Sequence, residues 1–220
     1  MRPTPLPSST VKRSVSPVRA SSADNNTLPQ SVRIIGGRWK RRKLPIAAQI
    51  PGLRPTPDRV RETLFNWLGQ DLNGWHCVDV CAGTGALGFE AASRGAAQVH
   101  MAEQHPTLLK QLRQNRTLLQ ADAVHIVAGD GLQLLQNLAA HSPAGIDLIF
   151  FDPPFTSTTY EAALNLARTL LAPNGFFYLE SSRQWQDAEL TPLGWRIWRY
   201  CKAGMVHAHV LQLLNEEPSS

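Results

Sequence analysis

From Trp75 onward the chain alternates short apolar or β-branched runs with stretches of helical length, and few architectures accept that alternation. The runs are CVDV at 77–80, QVHMAE at 98–103, VHIVAG at 124–129, IDLIFFD at 146–152 and GFFYLES at 175–181. Between them Ala86 to Arg94, Pro106 to Leu119, Leu132 to Ala140 and Thr159 to Leu171 read as helices. Strands separated by helices of this length form right-handed βαβ units, so the spacing predicts an α/β fold built on a parallel sheet. The end of the chain departs from the pattern. WRIWRYCKAGMVHAHVLQLL supplies two strand-like runs joined near Lys202 to Gly204, a hairpin that closes the sheet with an antiparallel strand.

Upstream of this body the composition changes. Residues 1–65 hold 13 of the 22 Lys and Arg but only three acids, Asp24, Asp58 and Glu62, while the remainder of the chain is net acidic. Arginine concentrated in this way implies a polyanionic partner. Residues 1–30, rich in Pro, Ser and Asn without apolar periodicity, read as a disordered leader, with an organelle transit peptide as the alternative. Order begins near Ser31. VRIIGGRWKRRKLPIA predicts a small β-hairpin around Gly36 and Gly37, with Arg38, Lys40, Arg41, Arg42 and Lys43 clustered beside Trp39. LRPTPDRVRETLFNWL predicts a helix entered at Pro57, with Thr56 as its N-cap and Val60, Leu64, Trp67 and Leu68 on one face. The opposite face carries Arg59 and Arg61, either simply solvated or part of a nucleic-acid surface. The expected organisation is a leader at 1–30, a basic hairpin and helix at 31–70 and an α/β domain at 71–220. Cys77, Cys81 and Cys201 are too few and too unevenly spaced for a disulfide framework or a four-ligand zinc site, and are expected to be reduced. No apolar run approaches a membrane span, so no membrane partner and a cytoplasmic location are expected.

In a doubly wound sheet the ligand sits at the carboxyl ends of the strands. The first such end reads DVCAGTGALG, where Gly83, Gly85 and Gly88 let the backbone turn and approach a ligand while the next helix aims its amides at it. A glycine pattern of this kind also serves pyrophosphate in dehydrogenases. Asp79, four residues before Gly83, favours a cationic ligand instead, because its carboxylate can receive an ammonium group and would repel a pyrophosphate. The second end gives Glu103, 20 residues past Gly83, a position suited to ribose hydroxyls. The third gives Asp130, able to accept from an adenine amino group, with Gly131 leaving room for the ring. Taken singly, each acid could be no more than a helix N-cap.

The fourth end is FFDPPF, and here the sequence resembles the D/N-P-P-F/Y/W motif of S-adenosylmethionine-dependent methyltransferases that modify exocyclic amino groups of nucleobases. Together with RIIGGRWKRRKLP, LRPTPDRVRETLFNWL and DVCAGTGALGFEAASRGA, it makes the chain closely similar, from about Arg33 onward, to the bacterial family that methylates guanine N2 in small-subunit (16S) ribosomal RNA, the RsmD family. Cys81 stands where that family commonly has Phe. The resemblance implies a Rossmann-like class I methyltransferase fold with a seven-stranded, mostly parallel sheet. It implies S-adenosylmethionine as cofactor, held by Asp79, Ala82, Gly83, Thr84, Gly85, Gly88, Glu103, Gln104, Asp130 and Gly131. It places Arg33, Arg38, Lys43, Arg54 and Arg59 near RNA or the pocket mouth, with Arg41, Arg42 and Thr56 grouped among the RNA-facing residues. The implied partner is small-subunit ribosomal RNA, free, within a 30S assembly intermediate or in a complete subunit; the protein itself is expected to be a monomer.

The chemistry expected of FFDPPF can be stated from the residues. An aromatic amine is a weak nucleophile, and its two hydrogens must be held so that its lone pair faces the methyl carbon. The Asp152 carboxylate and the Pro153 carbonyl would each accept one N–H, Pro154 would stiffen the backbone, and Phe155 would stack on the base. Rate would then come from positioning and from stabilising positive charge on nitrogen. A rigid strand-ending turn is the plainer reading of the motif. Rival functions are methylation of another base amine such as adenine N6, an NAD-dependent oxidoreductase, and a non-catalytic RNA-binding protein.

Overall fold

The computed structural model describes residues 31–46, 50, 53, 56–141 and 145–214; the expected leader at 1–30 and Arg54 lie outside the described residues. Seven strands form one mixed sheet. They are β3 (His76–Asp79), β4 (Gln98–Glu103), β5 (Val124–Ala128), β6 (Ile146–Phe151), β7 (Leu171–Ser181), β8 (Trp195–Ala203) and β9 (Val206–Leu213), in spatial order β5-β4-β3-β6-β7-β9-β8. The first five run parallel, and β9 inserts antiparallel between β7 and β8. Chain order reverses beside β3, between its neighbours β4 and β6, which opens a crevice at the carboxyl ends of these strands.

Both faces of the sheet are buried, and the strands show it by placing consecutive apolar residues in opposite cores. Cys77, Leu148, Phe150 and Tyr178 point to one side, where they meet α1 (Asp58–Trp67), α2 (Ala86–Ser93) and α3 (Pro106–Leu119). Val78, Ile149, Phe151, Phe177 and Leu179 point to the other, against α4 (Gly131–His141) and α5 (Tyr160–Leu170). Helix α5 shows the matching helical code: Ala163, Leu164, Ala167 and Leu170 recur on one stripe and are fully buried. Each large apolar side chain so enclosed contributes about 1.5–3 kcal/mol.

Strand β7 begins at Leu171, directly after α5, although the sequence places its start at Gly175. Pro173 and Asn174 interrupt the apolar run ahead of Gly175. They are accommodated as an irregularity in the ladder, which pairs Ile146 with Leu171 and then Leu148 with Phe176.

The basic segment forms a two-stranded antiparallel pair, β1 (Ser31–Arg33) and β2 (Lys43–Pro45), followed by α1. It is continuous with the main body, since Ile34, Trp39, Leu44, Val60, Leu64 and Phe65 share one core with Phe150 and Tyr178. The tip of the pair docks on the end of α2. Arg38 N–H donates to the Ser93 carbonyl at 2.6 Å, and the Ser93 hydroxyl donates to the Gly36 carbonyl at 2.6 Å. Gly37 has φ +69°, and a Cβ there would lie 1.8 Å from the Ser93 carbonyl oxygen. The glycine pair therefore serves close docking as well as chain reversal.

Two expectations for α1 need correction. Thr56 is not its side-chain cap: Pro57 occupies the N-cap and Thr56 turns into the interior. Arg61 is not on a solvated face beside Arg59; it is fully buried, with its guanidinium 2.6 Å from Asp58 and 3.6 Å from Glu90. Among the described residues, no helix is long and apolar enough to cross a membrane and no cluster could hold a metal ion.

Candidate active site

The carboxyl ends of β3, β4, β5, β6 and β7 open on a single cavity of about 970 Å³. It takes in Asp79, the loop from Cys81 to Thr84, Glu103, Gln104, Asp130, Gly131, Asp152 and the segment from Pro153 to Phe155. The residues singled out at four successive strand ends are therefore brought together, except that Gly85 and Gly88 stand behind the lining.

Three acids organise one half of the cavity. Asp79 is buried, and its Oδ2 accepts the Gly88 N–H at 3.0 Å, which ties β3 to the first turn of α2. Glu103 Oε2 accepts the Gly83 N–H at 2.9 Å, while Oε1 accepts the backbone N–H groups of Gln104 and His105. Asp130 does what a helix cap does, accepting from Leu132 and Gln133 through Oδ1, but its Oδ2 also receives the Gln104 side-chain amide at 2.8 Å. Glycine loop, Glu103, Gln104 and Asp130 thus form one hydrogen-bonded wall. An ionised carboxylate has about four acceptor positions, so these bonds leave capacity for a ligand.

The glycines have separate tasks. Gly85, at φ +81°, stands at the N-cap of α2. Gly131 does not simply leave room for a ring, because a Cβ there would lie 2.0 Å from the Val80 carbonyl oxygen; its smallness lets α4 start against the end of β3.

The other half contains the FFDPPF segment. Phe150 and Phe151 are buried in β6, Asp152 follows directly at the cavity, Pro153 is buried, and Phe155 is half-buried at the wall. Thr56 lies at the entry to α1, and its hydroxyl donates to Asp152 Oδ2 at 3.2 Å. A residue grouped with the RNA-facing set is therefore a direct partner of the candidate catalytic carboxylate. Arg38, Arg41, Arg42, Lys43 and Arg59 are exposed, and Arg33 is exposed but within 3.3 Å of Asp58.

Sequence reading overlooked Glu180. It sits near the end of β7, is 2 % exposed, accepts the Tyr178 hydroxyl at 2.6 Å and lines the same cavity. The strand-end rule that found the other acids points to it too, had it been applied to the fifth parallel strand. Ile50, Leu53 and the β8–β9 tip at Met205 and Val206 also reach the cavity, and nothing in local sequence pattern brings them there.

The electrostatics select the ligand class. Five carboxylates line the space, Asp79, Glu103, Asp130, Asp152 and Glu180, with no Lys or Arg among the described lining residues. A pyrophosphate would be repelled, which disfavours a dinucleotide; a cation would be drawn in. Burial, with Glu103 and Glu180 nearby, pushes the Asp79 carboxyl up to about 7 despite the lowering effect of the Gly88 amide. Burial likewise raises Glu180 to about 7, against the opposing hydrogen bonds from Tyr178 and Thr56. Asp152 is raised well above the usual carboxylate range by burial and then by Glu180, with the Thr56 hydroxyl pulling the other way. Burial and neighbouring carboxylates raise these groups, so an arriving positive charge lowers them again.

The sign of the linkage for Asp79 follows. An unfolded aspartate titrates near 4. The raised folded value means this group's stabilisation of the ligand-free fold is complete below about pH 4 and lost as pH rises through about 7. Affinity for a cationic ligand runs the opposite way, because the ionised form binds it. Calorimetry is expected to show cofactor binding several-fold weaker at about pH 6 than at about pH 7.5, with proton release on binding. Equal affinities at the two pH values would mean that Asp79 does not have to ionise.

Comparison with known proteins places this geometry among methyltransferases. The family model described as Conserved hypothetical protein 95 matches residues 32–212. Ribosomal RNA small subunit methyltransferase D of Escherichia coli (strain K12) is 37% identical over 190 residues, covering 86% of this chain and 93% of that protein. The protein of the same name from Haemophilus influenzae is 38% identical over 188 residues, covering 82% and 93%. Among solved structures, Putative methyltransferase yhhF from Escherichia coli superposes with a TM-score of 0.70 at 38% identity, over 83% of this chain and 98% of that one.

Proposed function

The chain belongs to the Conserved hypothetical protein 95 family, and from that premise we propose that it transfers a methyl group from S-adenosylmethionine to the exocyclic N2 amine of a guanine in small-subunit ribosomal RNA. One observation carries the reading: the Asp152-to-Phe155 segment opens on the same cavity as the Asp79, Gly83, Glu103 and Asp130 series. An amine-holding motif and a cation-favouring, glycine-lined wall share one space.

The residues fit the cofactor. Asp79 and the Gly83–Gly85 loop would hold its amino acid end, Glu103 its ribose, and Asp130 with Gln104 its adenine. When bound, S-adenosylmethionine supplies an electrophilic methyl carbon on a positively charged sulfur. Everything else is positioning by this chain. Asp152 Oδ1 and the Pro153 carbonyl accept the two amine hydrogens, Thr56 holds Oδ2 of the same carboxylate, and Phe155 offers its ring face to the base. The acidic cavity stabilises the positive charge that grows on nitrogen. Asp152 stands where it can accept the proton afterwards, a step that can follow methyl transfer. A base paired in the RNA must be opened to reach the cavity, at a cost of a few kcal/mol. The exposed cations Arg38, Arg41, Arg42, Lys43 and Arg59 would hold the surrounding phosphates. Action on ribosomal RNA makes the cytoplasm the place of work.

Mass spectrometry of small-subunit RNA from cells with and without the protein tests the proposal. The expected difference is one guanine lacking a methyl group on N2. A missing methyl on adenine N6 would move the substrate to another base amine, and an unchanged map would overturn the reading.

A further inference from the structure

On the premise of the guanine-methylating reading, we infer that Glu180 selects the base by accepting the ring N1–H of the target guanine while Asp152 holds the adjacent amine. The placement is geometric. Phe151 of β6 pairs with Leu179 of β7 in parallel register, so Asp152 and Glu180, the next residue on each chain, emerge side by side into the cavity. Thr56 lines the same space beside them, its hydroxyl donating to Asp152 at 3.2 Å. The Tyr178 hydroxyl fixes Glu180 further by donating to Oε1 at 2.6 Å. Burying a carboxylate to 2 % exposure beside another carboxylate is costly, and no Arg or Lys among the described residues compensates it within the cavity. A group retained at such a cost calls for a donor from the ligand.

The bases differ in what they place beside the amine. Guanine puts the N1–H donor next to its N2 amine. Adenine puts the N1 lone pair next to its N6 amine, and cytosine puts the N3 lone pair next to its N4 amine. Two adjacent carboxylates match only the first, a run of two donor groups along one edge. With adenine or cytosine, Glu180, kept ionised by the bound cationic cofactor, would face a lone pair, and a buried acceptor against an acceptor is disfavoured. Glu180 thus supplies what the amine-holding motif lacks, since Asp152 and Pro153 would hold the amino group of any base.

The test replaces the target guanine by 2-aminopurine in small-subunit RNA. That base keeps the N2 amine but presents N1 as an acceptor. Single-turnover methyl transfer by the wild type is expected to be about 10- to 100-fold slower on 2-aminopurine than on guanine. Glu180→Gln, whose carboxamide can donate to N1, is expected to shrink that ratio by a similar factor, with cofactor affinity unchanged by calorimetry. Equal wild-type rates on the two bases would overturn the assignment even if the variant failed to fold. So would a folded E180Q that slows both substrates equally, the mark of a merely structural role. A wild type that methylates guanine nowhere in this RNA removes the underlying reading itself, and the assignment with it.

Discussion

Asp152→Ala is expected to lower methyl transfer to ribosomal RNA by about 10²–10³-fold while cofactor affinity stays close to wild type. The size follows from what the carboxylate does. A base amine conjugated to its ring has little nucleophilicity unless its hydrogens are held out of the way of its lone pair, and alanine leaves one of them unheld. Positioning of this kind accounts for several kcal/mol of a barrier, and an error of an ångström is enough to lose much of it. The alanine also leaves the Thr56 hydroxyl without the partner it has at 3.2 Å, so the entry to α1 loosens where the base must enter. Cofactor binding is spared because Asp79, Glu103 and Asp130 lie on the other wall.

A second substitution separates two versions of the mechanism. Asp152→Asn keeps an oxygen that accepts the amine hydrogen but cannot take up a proton. If holding the amine is the main task, the asparagine variant retains most of the activity that alanine loses. If proton uptake limits the rate, the two variants fall together. Tritiated methyl incorporation into small-subunit RNA under single-turnover conditions measures both, and undiminished activity in the alanine variant would remove Asp152 from the mechanism.

What the sequence reveals about this site, and what it hides, has a physical division. Strand ends are local: a short apolar run, then an acid or glycine, places a residue at the rim of a parallel sheet whatever the rest of the chain does. Asp79, Glu103, Asp130 and Asp152 were legible for that reason, as were six of the seven main strands to within a residue or two at their ends and the antiparallel hairpin. Contacts across 50 residues or more leave no local trace. Thr56 has the composition and position of a helix cap, and its attachment to Asp152, 96 residues away, depends on how α1 sits over the sheet. Ile50, Leu53 and Met205 reach the cavity in the same way. Arg61 was misread for a related reason. Arginine on a helix is usually solvated, and only the docking of α1 against α2 puts it within 3.6 Å of Glu90.

That buried charge cluster carries the largest expected effect on stability. Glu90 is fully buried and accepts the backbone N–H groups of Ile35 and Gly36 at 2.8 and 2.7 Å. The same carboxylate accepts from Arg94 Nε at 2.9 Å, with a second Arg94 nitrogen at 2.8 Å and Arg61 at 3.6 Å. Glu90→Ala leaves two buried guanidinium groups without that anion and two backbone donors without an acceptor. Removing one member of a buried ion pair costs about 3–5 kcal/mol, and at this chain length that lowers the melting temperature by roughly 10 °C. Arg61 keeps Asp58 at 2.6 Å and Arg94 keeps its place over the Phe65 ring at 4.7 Å, so the fold is weakened locally before it is lost. The weak point is the attachment of the basic hairpin to α2, which also steadies α1 and the Thr56 hydroxyl. At a temperature where the variant remains folded, it is therefore expected to bind cofactor normally and to need more RNA for half-maximal rate. Calorimetric melting and a titration of RNA substrate measure the two effects. A melting temperature unchanged from wild type would mean that the hairpin is held by its apolar contacts through Ile34, Trp39 and Leu44 and by its hydrogen bonds to Ser93, without Glu90.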